Sequence, residues 1–477
     1  MNFDAYDLDA AIYDEMFLPD GTPRGHSRAL HDTLSQLPAD EVGRIQERVT
    51  RSFSNEGITF TVYGDDEADE RIIPVDCVPR ILSADEWRHI ETGLTQRLGA
   101  LNRFLEDVYG EARIIADGVV PADLVRGCPQ YLVEMCGVPV PHGTWVAVCG
   151  TDLVRTNDGW LVLEDNLRVP SGVSYMIANR KVVKSSLRRL YRDCRVREVE
   201  QYGQVLLETL RELAPAGRPD PCIALLTPGV ANSAFYEHIF LAQEIGAALV
   251  EGRDLLVNDG FVHMRTTEGL RRVDVIYRRV DDDFLDPLVF RPDSLLGVPG
   301  LMHAYRSGRV ALANAPGTGV ADDKSVYAFV PDMVRYYLGE EPILANVETY
   351  LCRRPRDLEY TLDNLQDLIV KRVGESGGYG MLVGPQSTPE ERDAYAGELR
   401  ADPAGFISQP VLALSRAPCF IEGRPEPRHV DLRPFVLHGR RTRIVPGAFC
   451  RVALRRGSLV VNSSQGGGGK DLWVLEN

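Results

Sequence analysis

Lysine is scarce in this chain. Only five of its 53 basic residues are lysine, and the others are arginine. A lysine retained against such a preference is a candidate for a role that arginine cannot fill. A compact ammonium group fits a single phosphate oxygen in a narrow site, where the wide guanidinium fork does not. The five positions are Lys181, Lys184, Lys324, Lys371 and Lys470.

Several other absences exclude broad classes of protein. The nine cysteines form no CxxC pair, which argues against a disulfide framework and against a thiolate zinc site. No apolar run is long enough to span a bilayer, so we expect no membrane partner. The acidic N-terminus does not resemble a secretory signal, and we expect a cytoplasmic protein. A net charge of −16 makes nucleic acid an unfavourable partner.

The length of 477 residues allows two or three domains or one large multi-lobed enzyme. Strand and helix patterns alternate through the middle of the chain, and the last hundred residues are rich in strand patterns. These patterns predict an α/β (α+β) fold class. Ser83 and Glu86 have the spacing of a capping box at the start of a long helix. Its apolar stripe is predicted to be core packing at Trp87, Ile90, Leu94, Leu98, Leu101 and Leu105.

Polar residues end one apolar strand, where Glu164, Asp165 and Asn166 follow each other. Side chains alternate along a strand, so Glu164 and Asn166 share one face and Asp165 points to the other. A three-residue hairpin loop at 157–159 would place Asp152 opposite Glu164, whereas a two-residue loop would break up this cluster. Two carboxylates and an amide oxygen suit Mg²⁺ or Mn²⁺ better than zinc. The alternative is a surface hairpin whose acids face solvent.

Two of the lysines lie in segments that suggest phosphate binding. Lys324 follows an aspartate, so its segment is not a Walker A motif, which needs glycine before the lysine. We expect Lys324 in the first turn of a helix, reaching sideways to a ligand. Lys371 lies in an apolar strand before the glycine-rich segment 374–380. Backbone N–H groups there can cradle phosphate oxygens or close as a lid, and a plain turn is the alternative.

The other three lysines have simpler interpretations. Lys181 and Lys184 are predicted to lie on a solvated helix face. Lys470 follows a run of glycines, for which we expect a flexible C-terminal loop. Asp431 and Arg433 share a strand face, and their simplest interpretation is a structural ion pair.

The Asp…Glu-x-Asn set, two phosphate-directed lysines and a glycine-rich lid together resemble the ATP-grasp ligases. In most of that superfamily the lysines precede the metal-binding residues, but here they follow them. This order is similar to that of the circularly permuted ATP-grasp proteins, which include glutathionylspermidine synthetase. A bacterial branch of that group is similar over about residues 75 to 475 in the strings LVLEDNLRVPSGVSY, ANAPGTGVADDK, RYYLGEEPIL, RHVDLRPF and VNSSQGGGGKDLWVL.

Residues 1–75 have helical patterns joined by polar loops and are predicted to form an N-terminal extension, and the resemblance implies a circularly permuted ATP-grasp unit over 76–477. Within that unit it implies a metal-binding part at about 130–215 and an α/β substrate part at about 220–315. The lysines, the lid and a C-terminal sheet would occupy about 316–477.

The resemblance also implies the site residues. Mg²⁺, or Mn²⁺, would be bound by Asp152, Glu164 and Asn166. ATP would be bound by Lys324, Lys371, Gly377, Gly378 and Gln409, with Gln409 at the hinge beside adenine.

One position departs from the pattern of glutathionylspermidine synthetase. There an arginine two residues before the metal-binding aspartate steadies the acyl phosphate, whereas this chain has Gly150. We expect the catalytic arginine to be Arg168, just beyond Asn166, or Arg433. No cysteine-based amidase domain is recognisable.

The activity implied is that of an ATP- and Mg²⁺-dependent carboxylate–amine ligase. It would join a small-molecule acid to an amine through an acyl phosphate, and an amino-acid or peptide derivative is the expected substrate. Two alternatives remain: a catalytically silent nucleotide-binding scaffold, and a kinase that stops at phosphoryl transfer.

Overall fold

The structure is a computed structural model, which describes residues 1–63, 68–374, 380–458, 461 and 467–476. The described residues form many helices and many strands, as the α/β prediction requires. The α-helices in these ranges are α1 (Arg28–Gln36), α2 (Ala39–Asn55), α3 (Ala84–Val108), α4 (Arg113–Ala116), α5 (Ala122–Arg126), α6 (Val173–Ser186), α7 (Arg188–Asp193), α8 (Tyr202–Glu212), α9 (Phe235–Ile245), α10 (Leu301–Arg306), α11 (Lys324–Tyr327), α12 (Val330–Leu338), α13 (Pro355–Asp363) and α14 (Pro389–Ala401).

The strands in the same ranges form six sheets of two to seven strands. They are β1 (Thr59–Tyr63), β2 (Ala68–Ile72), β3 (Val75–Leu82), β4 (Val148–Thr156), β5 (Gly159–Asn166), β6 (Ile223–Leu226), β7 (Ala248–Val250), β8 (Leu255–Asn258), β9 (Phe261–Thr266), β10 (Gly269–Arg272), β11 (Val275–Arg278), β12 (Ala311–Ala313), β13 (Ala345–Asn346), β14 (Tyr350–Leu351), β15 (Leu368–Arg372), β16 (Leu382–Val383), β17 (Phe406–Pro410), β18 (Arg416–Ile421), β19 (Arg424–His429), β20 (Arg433–His438), β21 (Thr442–Val452) and β22 (Gly468–Val474).

A seven-stranded sheet in the order β13-β5-β4-β20-β21-β22-β3 forms the centre of the molecule. Its two outer pairs are parallel and its inner pairs are antiparallel. The sheet brings the predicted metal-binding hairpin, β4 and β5, next to strands from the last fifth of the chain. The candidate site is therefore assembled from segments that are far apart in the sequence.

Two smaller sheets flank this centre. A parallel sheet in the order β12-β11-β6-β7 is built from strand–helix units, as the alternating pattern of the middle segment predicts. An antiparallel sheet in the order β14-β17-β15-β16 carries Lys371 and Gln409 on neighbouring strands. None of the helices in the described ranges combines the length and the apolar character that crossing a membrane requires.

Helix α3 confirms the prediction made from its sequence. The Ser83 hydroxyl accepts a hydrogen bond from the Glu86 N–H, and the Glu86 carboxylate accepts one from the Ser83 N–H, so the capping box is complete. Each residue of the predicted apolar stripe is buried. Local spacing was sufficient here because both the cap and the stripe depend only on helical geometry.

The first residues of the chain pack onto the central sheet. The Met1 amino group donates to the Leu34 carbonyl oxygen at 2.7 Å, and Met1 is buried. Glu15 is also buried, where it forms an ion pair with Arg80 of β3. The predicted helical extension is thus tied to the sheet by buried contacts, and the predicted domain boundaries stay predictions.

Lys470 corrects the expectation of a flexible loop. It lies within β22, fully buried, and its ammonium donates to the Asp76 carboxylate and to the carbonyl oxygens of Val78 and Pro418. Burial alone would lower the pKa of Lys470, but the Asp76 carboxylate raises it above its usual value. Lys181 and Lys184 lie on α6, where they pair with glutamates near the surface, as predicted.

We expect Lys470→Ala to destabilise the fold by about 3–5 kcal/mol, because it leaves the Asp76 charge buried without its partner. The midpoint of denaturant unfolding measures this loss. Lys181→Ala is the matched control, since Lys181 forms an exposed pair with Glu56 that is worth about 0–1 kcal/mol. Equal midpoints for the two variants would contradict a structural role for Lys470.

Candidate functional site

The hairpin between β4 and β5 turns more tightly than predicted. Thr156 pairs with Gly159, so the loop has two residues and the prediction of a three-residue loop is wrong. The register then shifts by one at Leu163, an extra residue that forms a β-bulge. Beyond the bulge Asp152 pairs with Glu164, and Gly150 pairs with Asn166. The expected pairing of the two carboxylate residues therefore occurs, but a bulge produces it.

Asp165 points to the opposite face of the hairpin, as the alternation of side chains predicts. Its carboxylate accepts hydrogen bonds from the Arg97 guanidinium at 2.7 to 3.0 Å and from the Thr151 hydroxyl at 3.0 Å. This ion pair is buried. Asp165 is therefore fully used in holding α3 against β5.

Two arginines compensate the buried charge of Asp152. Arg433 forms a two-pronged ion pair with its carboxylate, and Arg451 donates to the same carboxylate at 2.6 Å. Burial alone would raise the pKa of Asp152, but the two guanidiniums outweigh it and hold the pKa well below its usual range. The expected Asp431–Arg433 pair does not form, because Asp431 pairs with Arg451 instead.

Glu164 faces this cluster from the neighbouring strand. Its side chain is 38% exposed, and its carboxylate lies 3.7 Å from the Arg433 guanidinium. Desolvation and the facing charge of Asp152 raise the pKa of Glu164, against the attraction of Arg433 and two lysines. A carboxylate with a raised pKa beside a second carboxylate gains from a bound cation.

The donor set around these carboxylates fits Mg²⁺. Asp152, Glu164 and Asn166 supply only oxygen ligands, and the Asn166 amide nitrogen donates to the Gly150 carbonyl at 3.0 Å. The described ranges hold no group of three or more His, Cys, Asp or Glu side chains arranged to bind a metal. Mg²⁺ is commonly held by one or two carboxylates together with phosphate oxygens, which matches two carboxylates and one amide.

Lys324 and Lys371 meet in one pocket with Glu164. Lys324 is the first residue of α11, as predicted, and the preceding Asp323 caps that helix by accepting from two backbone N–H groups. Lys371 projects from β15 of the small antiparallel sheet. The pocket thus brings together two lysines and a carboxylate from three separate segments of the sequence.

Lys371 donates to the Gln409 side-chain oxygen at 2.7 Å, and the Gln409 amide nitrogen donates to the Thr349 hydroxyl at 2.9 Å. Burial lowers the pKa of Lys371 to about 8, against the opposing attraction of Glu164. Gln409 therefore connects the lysine to the segment that enters the small sheet. Gly377 and Gly378 lie outside the described residues.

A second pocket of about 390 Å³ has Thr349 in its lining. It lies between α12 and the connection from β13 to β14. Its lining residues include Ala328, Pro331, Asn346 and Thr349. Hydrogen bonds through Gln409 connect Thr349 of this pocket to Lys371.

The two candidate arginines lie in different surroundings. Arg168 donates to the Asp322 carboxylate at 2.8 Å, and its side chain is 32% exposed. Arg433 fills the space over Gly150, where an added Cβ would lie 3.3 Å from the Arg433 Cδ atom and 3.1 Å from Pro170 Cβ. The aliphatic part of the Arg433 side chain therefore occupies the space that a side chain at position 150 would fill.

Sequence reasoning missed the contacts that hold the loop after β5. Glu237 of α9 is buried and accepts from the N–H groups of Gly172 and Ser174 at 2.8 and 3.1 Å. Arg279 donates to the Pro170 carbonyl at 2.8 Å and to the Ser171 hydroxyl at 2.6 Å. A charged residue within the apolar run FYEHIF was the available signal for Glu237.

Comparison with known proteins is consistent with this architecture. An uncharacterized protein of Synechocystis is 54% identical over 478 residues, covering 100% of this chain and 99% of the relative. A Mycobacterium tuberculosis protein is 47% identical over 475 residues, covering 99% and 86%. A Frankia casuarinae protein provisionally named glutamate–cysteine ligase 2-2 is 45% identical over 468 residues. This chain spans only 53% of that longer relative.

A solved structure and a family model agree on the fold. The apo form of a glutathione synthetase-like effector from Globodera pallida superposes with a TM-score of 0.56 and 12% identity. The match covers 92% of this chain and 98% of the effector. The model for circularly permuted ATP-grasp type 2 proteins matches residues 79–453. The chain therefore belongs to the circularly permuted ATP-grasp type 2 family, as the sequence resemblance predicted.

Proposed function

We propose that the protein is an ATP-dependent carboxylate–amine ligase. The observation that carries this proposal is the convergence of Lys324, Lys371 and Glu164 on one pocket. Two ammonium groups have the positive charge that binds the phosphates of ATP, and the neighbouring carboxylates have the negative charge that binds the accompanying cation. Family membership and the provisional name of the Frankia relative support ligase chemistry.

ATP would extend across both pockets. The pocket of about 390 Å³ would receive the nucleoside, with Gln409 at the hinge beside adenine, and the phosphates would extend towards Lys371 and Lys324. In the free protein the Lys371 ammonium donates a hydrogen bond to the Gln409 side-chain oxygen. This hydrogen bond would break when Lys371 binds the phosphates. The segment with Gly377 and Gly378 would cover the phosphates.

The substrate acid would bind beside Glu164. Its carboxylate oxygen would attack the γ-phosphorus of ATP, forming an acyl phosphate and releasing ADP. An amine nitrogen would then attack the acyl carbon, the carbon–oxygen bond would break, and phosphate would leave as the amine loses a proton. Mg²⁺ held by Asp152, Glu164 and Asn166 would neutralise phosphate charge when bound. The proposed substrates are small amino-acid or peptide derivatives.

Arg433 is the better candidate for the arginine that steadies the acyl phosphate. It fills the space over Gly150 and already contacts the carboxylates of Asp152 and Glu164. Arg168 is held further along the loop by Asp322. Arg168 would then face the substrate side of the pocket.

We expect Asp152→Asn and Lys371→Met each to lower turnover by about 10²–10³-fold, because each removes a charge that stabilises phosphoryl transfer. ADP release is measured with a panel of amino acids and short peptides, and the product is identified by its mass. The surface variant Lys181→Met is the control and should keep full turnover.

Each alternative gives a distinct result in the same assay. A ligase yields a product with the mass of acid plus amine minus water. A kinase yields a stable phosphorylated product, and a silent scaffold binds nucleotide without turnover across the panel. Full activity in both site variants would contradict the site assignment.

Nucleotide affinity should fall as the pH rises above about 8. The pKa of Lys371 in the free protein is about 8, and bound phosphate would raise it, so binding above this pH requires uptake of a proton. The predicted loss is up to about tenfold per pH unit, because the lysine must be protonated again. Titration with a fluorescent ATP analogue between pH 7 and 9.5 measures this effect.

Lys371→Met is the control for that titration, since methionine carries no charge that titrates in this range. Its affinity should change little between pH 7 and 9.5. A wild-type affinity that is equally independent of pH would contradict the role assigned to the Lys371 ammonium.

Arg433→Ala should lower turnover by about 10²-fold, because the guanidinium beside the carboxylates is lost. Adding Gly150→Arg to that variant should restore part of the activity, since truncating Arg433 vacates the space over residue 150. Gly150→Arg alone should be defective, because the Arg433 stem occupies that space. Steady-state turnover of the three variants tests this exchange, and no gain in the double variant would contradict it.

A further inference from the structure

A third pocket, with a polar lining, lies on the surface between α2 and α6 and has a volume of about 250 Å³. It is lined by six side chains that can all donate hydrogen bonds, and no carboxylate is among them. The lining residues are Arg48, Arg51, Ser52, Asn55, Ser185 and Ser186. In a chain with a net charge of −16, such a lining favours an anion.

The pocket is built from a second stripe of α2. The first stripe, at Val42, Ile45, Val49 and Phe53, is buried in the core. Positions 48, 51, 52 and 55 repeat at the same helical spacing and face the end of α6. Arg48, Arg51 and Asn55 are exposed and Ser52 is half-buried, so this stripe presents two guanidiniums, an amide and a hydroxyl to solvent beside the end of α6.

Arg48 and Arg51 differ in their contacts from the other cations nearby. In the ranges that the structure describes, Arg48 and Arg51 form no ion pair and no hydrogen bond, including none to the last carbonyl groups of α6. Neighbouring cations differ in this respect, since Arg44 pairs with Asp40 at 2.8 Å and Lys181 pairs with Glu56 at 3.0 Å. The two guanidiniums are therefore available to a ligand.

We propose that this pocket binds a phosphate-bearing small molecule. A carboxylate would satisfy one guanidinium fork, whereas a phosphate group has the charge and the oxygens to engage two forks together with nearby hydroxyls. Arg48 and Arg51 would hold the phosphate, and Ser52 and Ser186 would complete its hydrogen bonds, because the Ser185 hydroxyl already donates to the Val182 carbonyl at 2.8 Å. The remaining volume would receive an organic group attached to the phosphate.

This site is separate from the proposed ligase centre. Helix α6 begins beside the loop that follows β5 and ends at Ser186, so its 14 residues separate the two by about 20 Å. The proposal therefore does not depend on the ligase activity, and its failure would leave that activity untouched.

The test is isothermal titration of the full-length chain with inorganic phosphate and with glycerol 3-phosphate at constant ionic strength. We expect saturable binding that weakens at least tenfold in Arg48→Ala/Arg51→Ala. Arg44→Ala, from the same helix, should bind like the wild type. Lys371→Met should also keep this binding, which distinguishes the pocket from the nucleotide site.

Flotation with phosphatidylcholine vesicles, with and without phosphatidic acid, separates the two sources of phosphate. Arginine-dependent flotation only with phosphatidic acid would assign the pocket to a lipid headgroup, and titration without flotation would assign it to a free phosphate ester. The proposal is overturned if the double variant binds both soluble probes and vesicles as the wild type does. Loss of binding in Lys371→Met alone would also overturn it, because the phosphate would then occupy the nucleotide site.

Discussion

The close approach of Asp152 and Glu164 is the constraint around which the candidate site is organised. Two carboxylates on facing strands repel each other, and one of them is almost completely buried. The surrounding positive groups come from four other elements: β20 and β21 supply Arg433 and Arg451, and β15 and α11 supply the two lysines. The charges are balanced only in the folded chain, because these elements are remote in sequence.

The bulge at Leu163 is a feature that the sequence of the hairpin did not predict. Alternation along β5 correctly predicted that Glu164 faces one side and Asp165 the other. The register could not be predicted, because it depends on a contact that is remote in the sequence: Leu153 exchanges hydrogen bonds of 2.7 and 3.0 Å with Leu432. A partner 279 positions away fixes Leu153 and leaves Leu163 as the extra residue.

The other predictions also differ in whether they depend on local spacing or on contacts that are remote in the sequence. The capping box of α3 and the placement of Lys324 at a helix start depend on local spacing, and both are confirmed. Lys470 depends on Asp76, which lies almost 400 residues earlier in the sequence, so a glycine-rich neighbourhood was misread as a flexible loop. Only the family resemblance predicted that these remote segments form one site, because members of a family share one fold.

The parallel sheet has a direct physical connection to the proposed centre. Glu237 and Arg279 fix the loop that follows Asn166, and the carbonyl oxygen of Ser171 in that loop accepts from Arg433 at 3.3 Å. A substrate bound at the edge of this sheet would therefore lie beside the carboxylate cluster. This arrangement suits a ligase, in which the acid and the phosphate donor must meet in a fixed orientation.

The central claim is that the acid is activated as an acyl phosphate, and transfer of an oxygen isotope tests it most directly. The acid that supports turnover is labelled with ¹⁸O in its carboxylate, and the released phosphate is analysed by mass spectrometry. The account predicts one ¹⁸O atom in each phosphate formed with the amide product, because the carbon–oxygen bond of the acyl phosphate breaks. Amide formation with unlabelled phosphate would contradict it.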